Sequence, residues 1–195
     1  MKERILSVSI LLISVWVMLF HLPKAEENYG SIPALPQPIG KETVLITSAG
    51  QSSDTNVIKD MANEMMIHNY FMPKATGEDL EKTNAVIIVF GYSPINAKQQ
   101  AFSAEDELNR VQKLIDITKN QNKPLIGVFI GEKARRIDET NLLLEKLMPQ
   151  MNYIITTTNS DYDNFIYDLS MASKIPITIT ESVFSISESL VSIFR

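Results

Sequence analysis

The stretch that most limits what this chain can become is AVIIVF, Ala85 to Phe90. An unbroken apolar run of strand length has no polar face to offer water, so the strand it forms must be covered on both sides. That is the signature of a parallel sheet sandwiched between helices. Related runs recur along the chain: TVLIT from Thr43, LIGVFI after Pro124, NYIITT from Asn152, and Ile175 to Thr180, with a weaker candidate at Tyr70 to Ala75 that Pro73 marks down. Between them, apolar residues return at helical spacing. Val57, Ile58, Met61, Ala62 and Met65 predict a helix over about Thr55 to His68 with Ser53 or Asp54 as its cap. Leu108, Val111, Leu114, Ile115 and Thr118 predict one running to Asn120. Further helices are expected with Leu142, Leu143, Leu147 and Met148 inward, with Phe165, Ile166 and Leu169, and over Ser182 to Phe194. Thr76 to Asp79 and Ser103 to Asp106 each have the form of a capping box. Pro94 to Ser103 shows no periodicity and reads as a loop.

Alternation of buried strands with helices predicts an α/β fold. The expected form is a single three-layer, doubly wound, mostly parallel sheet of about five or six strands, with flavodoxin-like or Rossmann-like order. Residues 42–195 suit one such domain. Ahead of it, Ile5 to Phe20 is apolar or serine throughout and follows Lys2 and Arg4, which reads as an export signal over residues 1–25. The run approaches membrane-spanning length, and Pro23 and Ala25 match the small-residue cleavage rule poorly. Both an uncleaved anchor and secretion after cleavage are carried forward, and either places the body outside the cytoplasmic membrane. Residues 26–41, with Pro33, Pro36 and Pro38, read as an extended spacer.

The formal charge is −5, and residues 26–195 alone carry −7, since the first 25 hold three of the bases and one of the acids. A net acidic body argues against nucleic acid as a partner. The chain has no cysteine, which removes disulfides, thiolate nucleophiles and thiolate metal sites.

In doubly wound sheets, ligands collect outside the carboxyl ends of the strands. Three strand ends carry polar residues there: Ser48, Gly50, Gln51 and Ser52; Gly91 and Ser93; and Gly131, Glu132, Arg135 and Arg136. The first lacks both the G-x-x-x-x-G-K-[ST] cradle and the G-x-G-x-x-G fingerprint, so no nucleotide cofactor is indicated, and Asp54 already occupies the positive helix start that an anion would seek. Arg135 and Arg136 precede a helix that Asp138 is expected to cap, where cations oppose the helix dipole. Their open roles are an anionic ligand, a salt bridge to Glu132 or another carboxylate, or solvent. The second glycine of a nucleophile elbow is missing after Ser93, and no histidine falls on the rim. Asn159, Asp161 and Asp163 are spaced like the start of a calcium loop without its later glycine and glutamate, so helix capping is expected and no metal site. Glu105, Asp106 and Glu107 read as first-turn acids, and Met61, Met65 and Met66 as core.

Taken together, PIGKETVLITSAGQSSD, ATGEDL, IIVFGYS, EDELNRV and IGEKARR resemble an uncharacterised bacterial family, domain-of-unknown-function family 6305, over nearly the whole chain after the linker. The resemblance implies an exported α/β domain with no established activity. On its motifs it points to Ser48, Gly50, Gln51, Ser52, Gly91, Ser93, Gly131, Glu132, Arg135 and Arg136. The chain departs where the family pattern expects a glycine-rich segment after Ser93, carrying PINAKQQAF instead. The function expected is a non-catalytic extracytoplasmic module that binds a small polar or anionic ligand at the strand ends. The alternatives are a hydrolase or transferase using Glu132 with the two arginines, and a structural or interaction domain.

Overall fold

The computed structural model describes residues 30–195. The apolar segment expected over 1–25 and the first spacer residues lie outside the described residues. Among those described, no helix is long and apolar enough to cross a membrane.

Six strands form one sheet: β1 (Val44–Ala49), β2 (Asn69–Phe71), β3 (Ala85–Phe90), β4 (Leu125–Phe129), β5 (Tyr153–Thr157) and β6 (Ile177–Thr180). Their order is β2-β1-β3-β4-β5-β6 and every neighbouring pair is parallel. This is the flavodoxin-like order of the two that were expected, extended by a sixth strand. Alternation along the strands splits the core in two. Val44 and Ile46 face α1 (Asp54–Glu64) and α6 (Ile186–Ser192), while Leu45, Val86 and Ile88 face α2 (Pro94–Gln100), α3 (Ala104–Asn120), α4 (Asp138–Leu147) and α5 (Phe165–Ser173). The first connection steps one way along the sheet and the later ones the other way, which with one crossover hand puts α1 opposite α2–α5. The switch point lies between β1 and β3.

Both capping boxes form, at Thr76 with Asp79 and at Ser103 with Asp106. Several local expectations are corrected. The stretch after Ser93 is helix rather than loop, with the Ser93 hydroxyl accepting from the Asn96 N–H and Pro94 in the first turn. Only Ala97 of that helix is buried, so it has no apolar stripe to read. Ser53 and Asp138 make no cap: Ser52 Oγ accepts the Asp54 N–H at 3.3 Å, and α4 begins after Ile137. Because α1 stops at Glu64, Met66 falls outside its stripe and is exposed rather than core. In α4 it is Leu144, not Leu142, that is buried with Leu143 and Leu147.

The proline-bearing segment lies against the domain from Ile32 onward. Ile32 exchanges backbone hydrogen bonds with Ile179 at 2.8 and 3.1 Å in an antiparallel bridge, capping the free edge of β6. Leu35 packs on the α1/α6 core, and the Ile39 and Gly40 N–H groups both reach Ile193 O. A proline-rich segment suits this edge because its missing N–H groups are not needed for a continuing ladder.

Candidate functional site

At the switch point the turn after β1 is held from within. Gly50 has φ +107°, and a Cβ there would come within 2.5 Å of Gly91 O, so only glycine lets the two strand ends close on each other. The closure is completed by backbone bonds from Gly91 N to Ala49 O, Ser52 N to Gly91 O, and Ser93 N to Gly50 O. The Gln51 N–H goes to Ser48 Oγ at 2.8 Å, and the Asn96 amide donates to Gln51 O at 2.8 Å. Ser48, Gly50, Gln51, Ser52 and Gly91 are buried, and Ser93 is half-buried.

The centre of this arrangement is a residue whose part was not expected, Glu107 on α3. Its Oε1 accepts the Gly50 N–H at 2.9 Å, the Gln51 side-chain amide at 2.8 Å and Arg110 Nη2 at 2.7 Å, while Oε2 accepts Arg110 Nε at 2.9 Å. Arg110 also donates to Ala75 O and Ser48 O. Burial alone would raise the Glu107 carboxyl, but the Arg110 hydrogen bonds and charge, with the Gly50 and Gln51 donors, hold it below the ordinary glutamate range. Glu107 is therefore the buried keystone of the turn, whereas its neighbour Asp106 serves the capping box. The signal was present in the sequence: 107, 111, 114, 115 and 118 fall on one helical face, so this acid stands on the inward stripe. Nearby, Asp54 Oδ2 is buried and has no hydrogen-bond partner among the described residues.

The turn after β4 is different in kind. Arg136 is committed: its side chain is 4% exposed, it pairs with Asp163 at 3.2 Å, donates to Asn141 Oδ1 at 2.7 Å, and lies 4.4 Å from the Phe165 ring centroid. Of the roles left open for the arginine pair, Arg136 takes the salt bridge, though to Asp163 rather than Glu132. Arg135 is exposed and, among the described residues, has no ion pair or side-chain hydrogen bond. Gly131 is buried beneath it, in a position where a Cβ would meet Arg135 Cβ at 2.8 Å. Glu132 is exposed. An open depression of about 590 Å³ lies here, lined by Glu132, Lys133, Ala134 and Asn159, with Lys133 Nζ resting 4.9 Å from the Tyr162 ring centroid.

Across the β5 turn, Asp161 accepts the Ile166 and Tyr167 N–H groups at 2.7 and 2.9 Å, the capping role expected of this stretch. Burial, with a smaller contribution from the Asp163 charge, pushes its carboxyl up to about 6 against those hydrogen bonds and Arg136. Among the described residues, no group of three or more histidine or acidic side chains is placed to hold a metal ion.

The structure therefore joins Ser48, Gly50, Gln51, Ser52, Gly91 and the half-buried Ser93 into one knot; Glu132 lines an open depression on the same sheet edge, and Gly131 and Arg135 lie in the same turn outside its lining. No curated protein and no solved structure matches the chain. The model of one family, described as a domain of unknown function (DUF6305), matches residues 41–194, and the chain belongs to that family.

Proposed function

We propose that this is an exported, non-catalytic binding module that takes a small polar or anionic group at the depression beyond β4 and β5. Lys133 in the lining and Arg135, exposed on the same turn beside it, supply the charge, and Glu132 and Asn159 supply orientation. Ser48, Gly50, Gln51, Ser52, Gly91 and Ser93 act as the rigid floor of the neighbouring rim. The observation that carries the reading is the division of labour between adjacent arginines. Arg136 is enclosed and partnered, whereas Arg135 is exposed and has no ion pair or side-chain hydrogen bond among the described residues. Holding a long cationic side chain beside a tight glycine turn gives the fold nothing, but a guanidinium in the open suits a carboxylate or phosphate. Acid–base chemistry through Glu132 would ask for a shielded carboxyl, and Glu132 is exposed.

Thermal unfolding of the full chain in detergent tests this against inorganic phosphate, small carboxylates and neutral sugars. A ligand at a hundredfold excess over its Kd adds about 2.7 kcal/mol, a shift of several degrees for a domain of this size. Arg135→Ala is expected to abolish that shift while changing stability by under about 0.5 kcal/mol. Arg136→Ala should instead cost about 1–2 kcal/mol, because it removes a nearly buried side chain packed on Phe165 and leaves Asn141 Oδ1 without its donor, while the exposed Asp163 is solvated. A ligand shift that survives Arg135→Ala unchanged would refute the assignment.

A further inference from the structure

The edge that carries the depression also carries apolar side chains that the fold does not use. Phe184, just beyond β6, is 87% exposed, and Ile95, in the first turn after β3, is 71% exposed. Both follow the carboxyl ends of parallel strands and so share one edge of the sheet. The chain outside the described residues ends at the same place. Because Ile32 pairs antiparallel with Ile179, the chain read backwards from Ile32 runs toward the carboxyl end of β6 and reaches Gly30 there. Only ten residue steps separate Gly30 from Phe20, the end of the N-terminal apolar run. Fully extended they span at most about 36 Å, less than the full thickness of a bilayer with its headgroups.

We infer that this edge of the sheet faces the membrane and seats Phe184, with Ile95, in the interfacial layer of the phospholipid. The inference rests on the membrane-attached form of the reading above and deepens it, since a depression on that edge would meet groups presented at the lipid surface. The contact is apolar and not electrostatic. The exposed cations that follow the strand ends, Lys74, Lys98, Lys133 and Arg135, are outnumbered by the exposed Glu105, Asp106, Glu132, Asp138, Glu139, Asp163 and Glu181. Anionic lipid therefore gives no advantage, and aromatic side chains suit the headgroup level of a zwitterionic bilayer.

The absence of native cysteine makes site-directed spin labelling direct. The full chain is reconstituted into phosphatidylcholine vesicles with a single label at Ser185→Cys, beside Phe184, or at Gln121→Cys, at the opposite end of the sheet. Collision rates with oxygen and with a water-soluble nickel chelate are then compared. Expected are several-fold lower nickel access and higher oxygen access at position 185 than at 121, unchanged by added phosphatidylglycerol or 0.5 M salt. Phe184→Ser should cut the seated population about tenfold or more and return the label to water. Equal nickel access at both positions overturns the inference. So does shielding from nickel without oxygen enrichment, which would mean that protein covers the edge. Intact mass separates the two levels of failure. A chain lacking residues 1–25 ends the attachment reading and this inference together, whereas an intact chain with label 185 in water ends this inference alone.

Discussion

Replacing Glu107 with alanine tests whether the knot at the switch point is a structural keystone or an ordinary helix-surface ion pair. The sequence spacing alone, Glu107 and Arg110 at i and i+3, suggests an interaction of roughly 0.2–0.5 kcal/mol. The structure argues for an order of magnitude more. The Glu107 side chain is 5% exposed and that of Arg110 19%, and the carboxylate satisfies donors on Gly50, Gln51 and Arg110 together. Its removal leaves the buried Gly50 N–H without an acceptor, takes one of two acceptors from the Gln51 amide, which keeps Pro73 O, and strips the largely buried Arg110 of its counter-charge while leaving it Ala75 O and Ser48 O, so the loss should be about 4 kcal/mol, within the usual range for breaking a buried pair. In urea unfolding this appears as a lowered midpoint at unchanged slope, and in thermal unfolding as a fall of about 8–16 °C. Glu107→Gln keeps the shape but turns an NH₂ toward donors, and should cost about 2–3 kcal/mol. The double variant with Arg110→Ala should fall short of the summed losses by about 1.5 kcal/mol or more, since each single change strands the other partner. Acid adds a further check. A carboxyl held below its unfolded value stabilises the fold above that value, and the contribution is lost as the pH falls through the lowered folded value. The gap between wild type and Glu107→Gln should therefore begin to narrow as the pH falls below the ordinary glutamate value of about 4.3. A Glu107→Ala loss under about 1 kcal/mol, or strict additivity with Arg110→Ala, would refute the keystone argument.

Two further outcomes follow from the same geometry. Gly50→Ala places a Cβ within 2.5 Å of Gly91 O at φ +107°, and should cost about 3 kcal/mol or more, read as lost cooperative unfolding or a large midpoint shift. Asp161, raised to about 6, has the opposite pH sign to Glu107. The folded state keeps its proton longer than the unfolded chain, so the Asp161 contribution is greatest below about pH 4 and is lost as the pH rises through 6. Relative to Asp161→Asn, stability should fall by about 3 kcal/mol between pH 4 and 7 in chemical denaturation, and a flat difference would contradict the burial argument.

Most of the sheet was readable in advance because its strands are buried on both faces, and continuous apolar runs such as AVIIVF and LIGVFI have few other uses. Helices with a stripe were equally readable. What escaped were elements whose reasons are local or tertiary. The helix after Ser93 announces itself only by a serine cap and Pro94. The docking of Ile32 on Ile179 depends on an edge that a linear reading cannot see. At the rim, residue types suggested polar chemistry, but which groups remain available was decided by partners far along the chain. Gly50 and Gln51 are taken by Glu107, more than fifty positions away, and Arg136 by Asp163, whereas Arg135 next to it is left to solvent. Adjacent residues of one type thus end in opposite roles, because a turn of 3₁₀ helix points successive side chains in different directions.

The clasp that residues 32–40 make around the β6 side bears on where the folding unit begins. The family match starts at residue 41, but a chain cut there would uncover the main-chain groups of Ile179 and strip Leu35 from the α1/α6 core. A bare parallel edge with its donors and acceptors unpaired invites pairing between molecules. The packed body thus extends upstream of the family boundary to Ile32, and its N-terminal staple covers the edge of the last strand.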